Sequence, residues 1–278
     1  MTRIACIGEA MIELSMTGSN AHVGVAGDTL NTAIYLKRAA PALKVDFMTR
    51  LGDDPFSQRI FDFIAAQEIE CAAIARDPGK TPGLYAITTR ADGERSFTYW
   101  RDSSAARGLF GRHDFTGVES YDAVYLSGIT MAILPPNVRD SLIDYLNATD
   151  VQVIYDSNHR PSLWNNAQAA RDTNTRLWRR ADIALPSIDD EMQIFGETAE
   201  EVEARFAKLD ATGALKRGDI GPMSVGSVVD DTYPAAANAV DTTAAGDSFN
   251  GAYIAAHLTG VSQIGALMQG HMCAREVI

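Results

Sequence analysis

Short apolar runs alternate with amphipathic stretches along the chain, and this alternation predicts the order of its secondary structure. Runs rich in β-branched residues predict strands at residues 4–7, 45–48, 123–126, 151–155 and 183–185. Apolar positions three and four residues apart predict helices over 27–39 and from the Asp54-Pro55 cap pair to Gln67. Strands that alternate with helices are typical of a mostly parallel sheet flanked by helices, so we expect an α/β fold.

One segment departs from this alternation. Residues 84–89 and 94–101 are both strand-like, and the short sequence ADG at 91–93 predicts a hairpin between them. Alternation in the second strand puts Phe97, Tyr99 and Arg101 on one face. A half-buried ribbon with a surface arginine explains the same pattern. We therefore expect a small β-stranded lid, and its binding role needs support from elsewhere.

The composition is that of an ordinary globular protein. The 278 residues are 46% hydrophobic and 22% charged, which fits a single domain over 1–278 with the lid as an appendage. The formal net charge of -12 disfavours a nucleic acid or an anionic membrane as partner. An acidic protein that binds an anionic substrate must concentrate its cations locally, which makes Arg101 and Arg160 candidates.

Cysteine usage and the first residues favour a cytoplasmic protein. Cys6, Cys71 and Cys273 lack the spacing of metal ligands and are expected as reduced thiols. The first residues run into a strand-like pattern that contains Glu9 and Glu13, so we expect no secretory signal. No apolar run reaches the length of a membrane span.

The sequence DTTAAGDSFNG at 241–251 carries the strongest chemical signal, because an apolar helical run over 249–258 follows it. Ala244, Ala245 and Gly246 have small side chains, so backbone N–H groups at the helix start can face an anion. Asp247 lies in the predicted first turn, where the helix dipole favours an ionised, weakly basic carboxylate. Weak basicity suffices in phosphoryl transfer, since the attacking hydroxyl loses its proton late. Packing alone, without a binding or catalytic role, also explains small residues and an acid at the start of a helix.

As a whole, this stretch resembles the C-terminal signature of the ribokinase-like carbohydrate kinases, the PfkB family. Other stretches are similar to motifs of the same family: IGEAMIEL at 7–14, AGDTLN at 26–31, TPGLY at 81–85, FTYWR at 97–101, DSNHR at 156–160 and LW at 163–164. The resemblance covers essentially the whole chain. It implies a ribokinase-like fold, a mostly parallel sheet flanked by helices, with a lid of discontinuous strands that include about 84–101.

The resemblance also assigns roles to residues. It implies Asp247 as catalytic base, with an anion hole formed by Ala244, Ala245 and Gly246. The implied substrate-binding residues are Gly27, Asp28, Asn31, Tyr85, Tyr99, Arg101, Arg160 and Asp247. The implied ATP-binding residues are Asn158, Lys216, Arg217, Gly218, Gly221 and Gly246. Without the family, KRGDIG at 216–221 is an ordinary exposed turn.

Three features depart from the family pattern. Ala26 stands where the family usually has glycine, which adds a methyl group near the sugar. Ser187 and Asp190 occupy the positions of an asparagine and a glutamate linked to magnesium and phosphate, so no metal ligand is assigned and Ser187 is expected as a helix cap. Family members continue beyond the position of Ile278, so we expect part of the adenine pocket to be missing.

Within the family, the motifs are most similar to kinases of a sugar acid. This implies ATP-dependent phosphorylation of the primary hydroxyl of 2-dehydro-3-deoxy-D-gluconate, with Mg²⁺ and room for a monovalent cation. Two arginines favour a carboxylate substrate, because guanidinium groups pair bidentately with carboxylates. The alternatives are a kinase for fructose, ribose or a nucleoside, and a catalytically silent sugar-acid-binding homologue. The sequence contains neither a P-loop nor the protein-kinase motifs.

The lid also predicts self-association. We expect an exposed apolar face bearing Leu84, Phe97 and Trp100, and such a face on a strand ribbon favours pairing with a second copy. The expected partners are therefore the sugar acid, ATP and another subunit in a homodimer or higher homo-oligomer.

Overall fold

The computed structural model describes residues 2–89, 95–229, 232–234 and 244–277. The predicted hairpin connection at 91–93 and the first residues of the signature, 241–243, lie outside the described residues. Within the described ranges, no helix is long and apolar enough to cross a bilayer.

The described residues form strands and helices in the expected alternating order. The strands are β1 (Arg3–Ile7), β2 (Met11–Thr17), β3 (Asn20–Ala26), β4 (Lys44–Leu51), β5 (Ile74–Arg76), β6 (Gly83–Thr89), β7 (Arg95–Trp100), β8 (Ala123–Ser127), β9 (Gln152–Asp156), β10 (Ile183–Ala184), β11 (Thr212–Leu215) and β12 (Met223–Val225). The α-helices are α1 (Asp28–Ala39), α2 (Pro55–Ala66), α3 (Gly128–Ile133), α4 (Pro136–Asn147), α5 (Ala167–Arg180), α6 (Ile188–Phe195), α7 (Ala199–Phe206), α8 (Ala245–Leu258) and α9 (Gln263–Val277).

Eight strands form the main sheet in the order β12-β11-β10-β9-β8-β1-β4-β5. Neighbouring strands are parallel except for β11 and β12, which are antiparallel. The five predicted core strands all lie in this sheet, within three residues of the predicted ends. The expected mostly parallel α/β fold is therefore confirmed.

Both faces of the main sheet are covered. In β1, Ile4 and Cys6 join a core formed with α1, α2, α8 and α9, while Ala5 and Ile7 join a core formed with α4, α5 and α7. Burial on both faces explains why β1 reads as a continuous apolar run without alternation.

Four strands form a second sheet, the small sheet, in the order β3-β2-β6-β7. Tyr85 lies opposite Tyr99 and Leu84 lies opposite Trp100. Phe97 stacks against Tyr99, with ring centroids 6.4 Å apart. Since successive side chains alternate between faces, Phe97 shares a face with Tyr99 and not with Leu84 and Trp100. The expectation of one apolar face bearing Leu84, Phe97 and Trp100 is wrong.

Close packing of α1 on α8 brings the starts of these two helices together. Gly251 permits the approach, because a Cβ there would lie 2.6 Å from Cβ of Tyr35 and 2.7 Å from the backbone nitrogen of Leu36. Helix α8 begins at Ala245, four residues before the predicted apolar run at 249, since its first turn is built from the small signature residues.

Candidate active site

Polar side chains collect where the parallel strands β8 and β9 end and where α1 and α8 begin. Ser127 ends β8, Asp156 ends β9, Asp28 opens α1 and Asp247 lies in the first turn of α8. The carboxyl ends of parallel strands are the usual place for ligand binding in such sheets. The structure thus brings together residues that lie far apart in the sequence.

Asp247 is held by α1. Its Oδ2 accepts a hydrogen bond from Nδ2 of Asn31 at 2.9 Å, and its backbone carbonyl accepts one from Oγ1 of Thr32 at 3.3 Å. Two neighbouring residues of one helix therefore fix both the side chain and the backbone of the predicted base.

The start of α8 has the form of an anion site. The first-turn N–H groups of an α-helix have no acceptor within the helix, and the dipole makes this end positive. Ala244, which caps the helix, has a left-handed φ of 63°. At Gly246 an added Cβ would meet nothing within 4 Å, so the backbone there borders open space. This open helix start is compatible with the predicted approach of a phosphate group to these N–H groups.

The electrostatics of Asp247 differ from the prediction. Loss of hydration, together with the neighbouring carboxylates of Asp28 and Asp156, raises its pKa to about 8, against the hydrogen bond of Asn31 and the charge of Lys216. The expectation of a weakly basic carboxylate that the helix dipole keeps ionised is wrong, because burial beside two other acids outweighs the dipole.

Asp28 and Asn158 contact each other directly. Nδ2 of Asn158 donates to Oδ2 of Asp28 at 3.2 Å, and the hydroxyl of Ser127 donates to the same oxygen. Burial raises the pKa of Asp28. Asn158, assigned to ATP by resemblance, thus contacts a residue assigned to the sugar.

A buried network beside Asp247 joins α8 to β8, to β9 and to the residue that follows β11. Nδ2 of Asn250 donates to Oδ2 of Asp156 at 2.6 Å and to the hydroxyl of Tyr125 at 3.1 Å. Nζ of Lys216 lies 3.0 Å from Oδ1 of Asn250 and 3.0 Å from Oδ1 of Asp156. Asn250 and Asp156 lie within two of the family motifs, at 241–251 and 156–160, but the sequence analysis assigned them no role. Tyr125 was not predicted as part of the site, because it lies in an apolar run that indicates only a buried strand.

In the 216–221 loop, both basic side chains form contacts with other residues of the protein. Arg217 pairs with Glu203 at 2.8 Å and donates from Nε to the carbonyl of Gly221 at 3.1 Å. Lys216 points into the network just described. Gly218 and Gly221 have φ values of 61° and 89°, which favour glycine.

The small sheet carries the rings of Tyr85, Phe97 and Tyr99 together on one face. The ring centroids of Tyr85 and Tyr99 are 5.5 Å apart, and the Tyr85 hydroxyl donates to Glu13. Arg101 is buried and forms an ion pair with Glu9. The positive charge of Arg101 acts to lower the pKa of Asp28 against the larger effect of burial. The backbone carbonyl of Glu9 crosses Gly27 directly before α1, so the pair lies near the start of this helix. Sequence reasoning assigned no role to Glu9 or Glu13.

Arg160 and Gly27 complete the predicted substrate set. Arg160 is exposed, and its Nη1 donates to the carbonyl of His159 at 2.8 Å. At Gly27 an added Cβ would lie 2.2 Å from the carbonyl oxygen of Glu9, so glycine is required by this close crossing of two segments. The two predicted arginines therefore occupy different environments, one buried and one exposed.

Ser187 occupies the N-cap position of α6, but its side chain makes no capping hydrogen bond, so the expected cap is wrong. Its backbone N–H donates to Oγ of Ser157 at 3.3 Å, and Ser187 forms an isolated parallel β-bridge with Lys216. These backbone contacts fix the start of α6 without a hydrogen bond from the Ser187 side chain. Burial raises the pKa of Asp190 to about 6, with a contribution from Asp156.

Metal binding by the protein alone has no support in the described part of the chain. No group of three or more His, Cys, Asp or Glu side chains is placed there to hold an ion.

Comparison with known proteins agrees with this architecture. The family model for pfkB family carbohydrate kinases matches residues 1–278. The 2-dehydro-3-deoxygluconokinase of Escherichia coli K12 is 37% identical over 294 aligned residues, covering 99% of this chain and 94% of the relative. The crystal structure of a PfkB protein from Polaromonas sp. JS666 superposes with a TM-score of 0.84 at 28% identity, covering 99% of this chain and 94% of the other.

A third comparison concerns the fold alone. Fructokinase from Vibrio cholerae O395, in a form bound to fructose, ADP and calcium ion, has a TM-score of 0.81 at 21% identity, with 99% of this chain and 91% of the other covered. The family match and the identity to the curated relative together define the class of protein. The chain belongs to the pfkB family of carbohydrate kinases.

Proposed function

We propose that the protein transfers the γ-phosphoryl group of ATP to the primary hydroxyl of 2-dehydro-3-deoxy-D-gluconate. The observation that carries the proposal is the position of Asp247. Its carboxylate is held by Asn31 at the open start of α8, so a base and an anion-binding helix end share one site. The curated relative that is 37% identical bears the name of this activity.

In the proposed reaction, Asp247 accepts the proton of the attacking hydroxyl. The backbone at Ala244, Ala245 and Gly246 stabilises charge on the transferring phosphoryl group. Donors of this type are worth about 3 kcal/mol of barrier each. Since the transition state of phosphoryl transfer is loose, positioning of the hydroxyl contributes more than the strength of the base.

The sugar acid would lie between the small sheet, acting as a lid, and the start of α1. Gly27, Asp28 and Asn31 offer backbone and side-chain hydrogen bonds to hydroxyl groups. Tyr85 and Tyr99 cover the sugar from the small sheet. Arg101 and Arg160 supply the positive charge that a carboxylate requires in an otherwise acidic site.

ATP would enter beside α8 with Mg²⁺ on its phosphates. Mg²⁺ commonly keeps several waters and is bound by one or two carboxylates together with substrate phosphates. A site without a cluster of three acidic or histidine side chains in the described residues fits that mode. The ion would supply charge neutralisation at the phosphates. Asn158, Gly218 and Gly221 remain the candidates for nucleotide contact, and Lys216 and Arg217 would have to exchange their present partners.

One observation favours a second candidate, a neutral sugar such as fructose. Glu9 already pairs with Arg101, so the guanidinium charge is balanced before any substrate arrives. A guanidinium whose charge is already balanced attracts a carboxylate less strongly through charge alone, so selectivity for the acid depends on the direction of its remaining N–H groups.

Coupled ATP turnover on the purified protein separates these candidates. The assay compares 2-dehydro-3-deoxygluconate, 2-dehydro-3-deoxygalactonate, fructose and ribose at equal concentration. We expect selective turnover of the keto-deoxy acids. Preference for fructose or ribose would replace the substrate but keep the kinase, and no turnover of any sugar would indicate a silent homologue.

We also propose a homodimer formed through the small sheet. Trp100 is 58% exposed on the edge strand β7. A groove of about 400 Å³ beside it is lined by Ile12, Phe56, Leu84 and Trp100, among others. An exposed aromatic edge of this kind suits a second copy of the same surface. Light scattering should give a dimeric mass, reduced by Trp100→Ser, and a monomeric wild type at micromolar concentration would contradict the proposal.

A further inference from the structure

Glu9 lies at the junction between the two sheets. It belongs to the short link from β1 in the main sheet to β2 in the small sheet, and it is only 1% exposed. Its Oε1 is so close to Gly83 that a Cβ there would lie 2.7 Å from it and 3.1 Å from Cβ of Arg101. The first residue of β6 thus has no side chain where the Glu9 and Arg101 side chains meet.

The partner of Glu9 is Arg101, which is 6% exposed at the end of β7. Nη2 of Arg101 bonds to Oε2 of Glu9. Oε1 of Glu9 and Nε of Arg101 are buried and have no hydrogen-bond partner among the described residues. Both side chains are therefore desolvated without full compensation in hydrogen bonds.

Such a pair is a poor means of stabilising a fold. Desolvation of two charges often exceeds their attraction, and an apolar pair of similar volume is commonly as stable or more stable. What the pair does provide is a fixed direction for the guanidinium. The guanidinium carbon of Arg101 lies 6.0 Å from the ring centroid of Tyr99, and its partner Glu9 crosses Gly27 directly before α1, so the direction of the guanidinium bears on the proposed sugar site.

We infer that Glu9 is a positioning and specificity residue, which orients Arg101 between the small sheet and α1 for recognition of the carboxylate of a sugar acid. This inference rests on the proposed function. Glu9 acts through Arg101 and is not itself a catalytic residue. Because the oriented guanidinium contacts the acid group and not the reacting hydroxyl, Glu9 should control binding of the sugar acid and leave the chemical step unaffected.

The test is the kinetics of Glu9→Ala and Glu9→Gln with 2-dehydro-3-deoxygluconate as the varied substrate. Removal of one member of a buried, hydrogen-bonded charge pair leaves the other charge unpaired and strongly weakens binding. We therefore expect the KM of the acid to rise about 10-fold or more in Glu9→Ala. kcat and the KM of ATP should change less than about 3-fold. Glu9→Gln keeps a hydrogen-bond acceptor for Arg101 and should recover part of the lost affinity.

Asp140→Asn is the matched control, because it removes a carboxylate from an exposed pair with Arg176 on α4 and α5. It should leave both KM values unchanged. Calorimetric titration of the sugar acid into Glu9→Gln and into wild type, without ATP, compares their affinities for the acid independently of turnover. This measurement replaces the kinetic comparison if Glu9→Ala does not fold.

An unchanged KM and an unchanged calorimetric affinity, together with a lower Tm, would overturn the role of Glu9 and leave only a structural one. Wild-type turnover of the acid would meanwhile keep the proposed function. Wild-type preference for a neutral sugar would overturn the proposed substrate, and with it the role of Glu9 in carboxylate recognition.

Discussion

Asn31 on α1 donates a hydrogen bond to Oδ2 of Asp247 on α8 at 2.9 Å, across 216 residues of sequence. The amide is the one contact from α1 to this carboxylate among the described hydrogen bonds, and it acts to lower the pKa of Asp247 while burial and two nearby acids raise it. Among the described residues no hydrogen bond is made to Oδ1 of Asp247, the oxygen that the proposed reaction assigns to a substrate hydroxyl. The base and the residue that orients it therefore come from two helices that meet only in the folded protein.

Replacement of Asp247 by Asn should abolish turnover and retain binding. The amide cannot accept the proton, and general base catalysis typically contributes about 10²-fold to 10⁴-fold in rate. Coupled ATP turnover measures the loss, and calorimetry measures binding of the sugar acid. Turnover within 10-fold of wild type would assign the base to another residue.

The pH dependence of kcat/KM should report the pKa of Asp247 in the free enzyme. The base acts when ionised, and its pKa is raised to about 8, so kcat/KM should increase with pH and level off above about 8. Lys216→Met removes a nearby positive charge that lowers this pKa, so the rising limb should move to higher pH. Exposed Lys208→Met changes the net charge equally and should leave the limb in place.

The raised pKa of Asp247 should also be visible in the pH dependence of thermal stability, a measurement that requires no turnover. The carboxyl ionises near 3.8 when unfolded but keeps its proton to about 8 when folded, so it makes the protein less stable as pH rises between these values. Asp247→Asn lacks this penalty. The Tm of Asp247→Asn relative to wild type should therefore increase from pH 4 to pH 8, as measured by calorimetry in matched buffers. A constant difference would show that Asp247 has an ordinary pKa.

Two glycines of α8 should respond differently to alanine. In Gly251→Ala the added Cβ would overlap backbone atoms of α1, so we expect a loss of about 1–3 kcal/mol in the free energy of unfolding, measured with urea. Gly246→Ala adds a methyl group to open space at the start of the helix and should not lower stability. It should lower kcat/KM, since the methyl group borders the proposed phosphate path. Equal stability losses would contradict this account of α8 packing.

Much of the fold could be predicted from local patterns. The apolar runs of β1, β4, β8, β9 and β10 and the capped start of α2 have signals within a few residues, and each lies where it was predicted. Asp54, for example, caps α2 through hydrogen bonds to the N–H groups of Phe56 and Ser57. The roles assigned to Asp247 and to Ala244, Ala245 and Gly246 stay predictions, and the positions of these residues at one helix start are consistent with them.

The remaining features depend on contacts between distant segments. Local patterns were sufficient to predict the alternating α/β order, the family and the signature turn, because periodicity, capping and small residues act over short distances. No local pattern indicates that Lys216 lies against Asp156 and Asn250, that Arg101 pairs with Glu9, or that the pKa of Asp247 is raised to about 8. Burial and the charges of neighbours set these properties, and both arise only when separate strands and helices pack together.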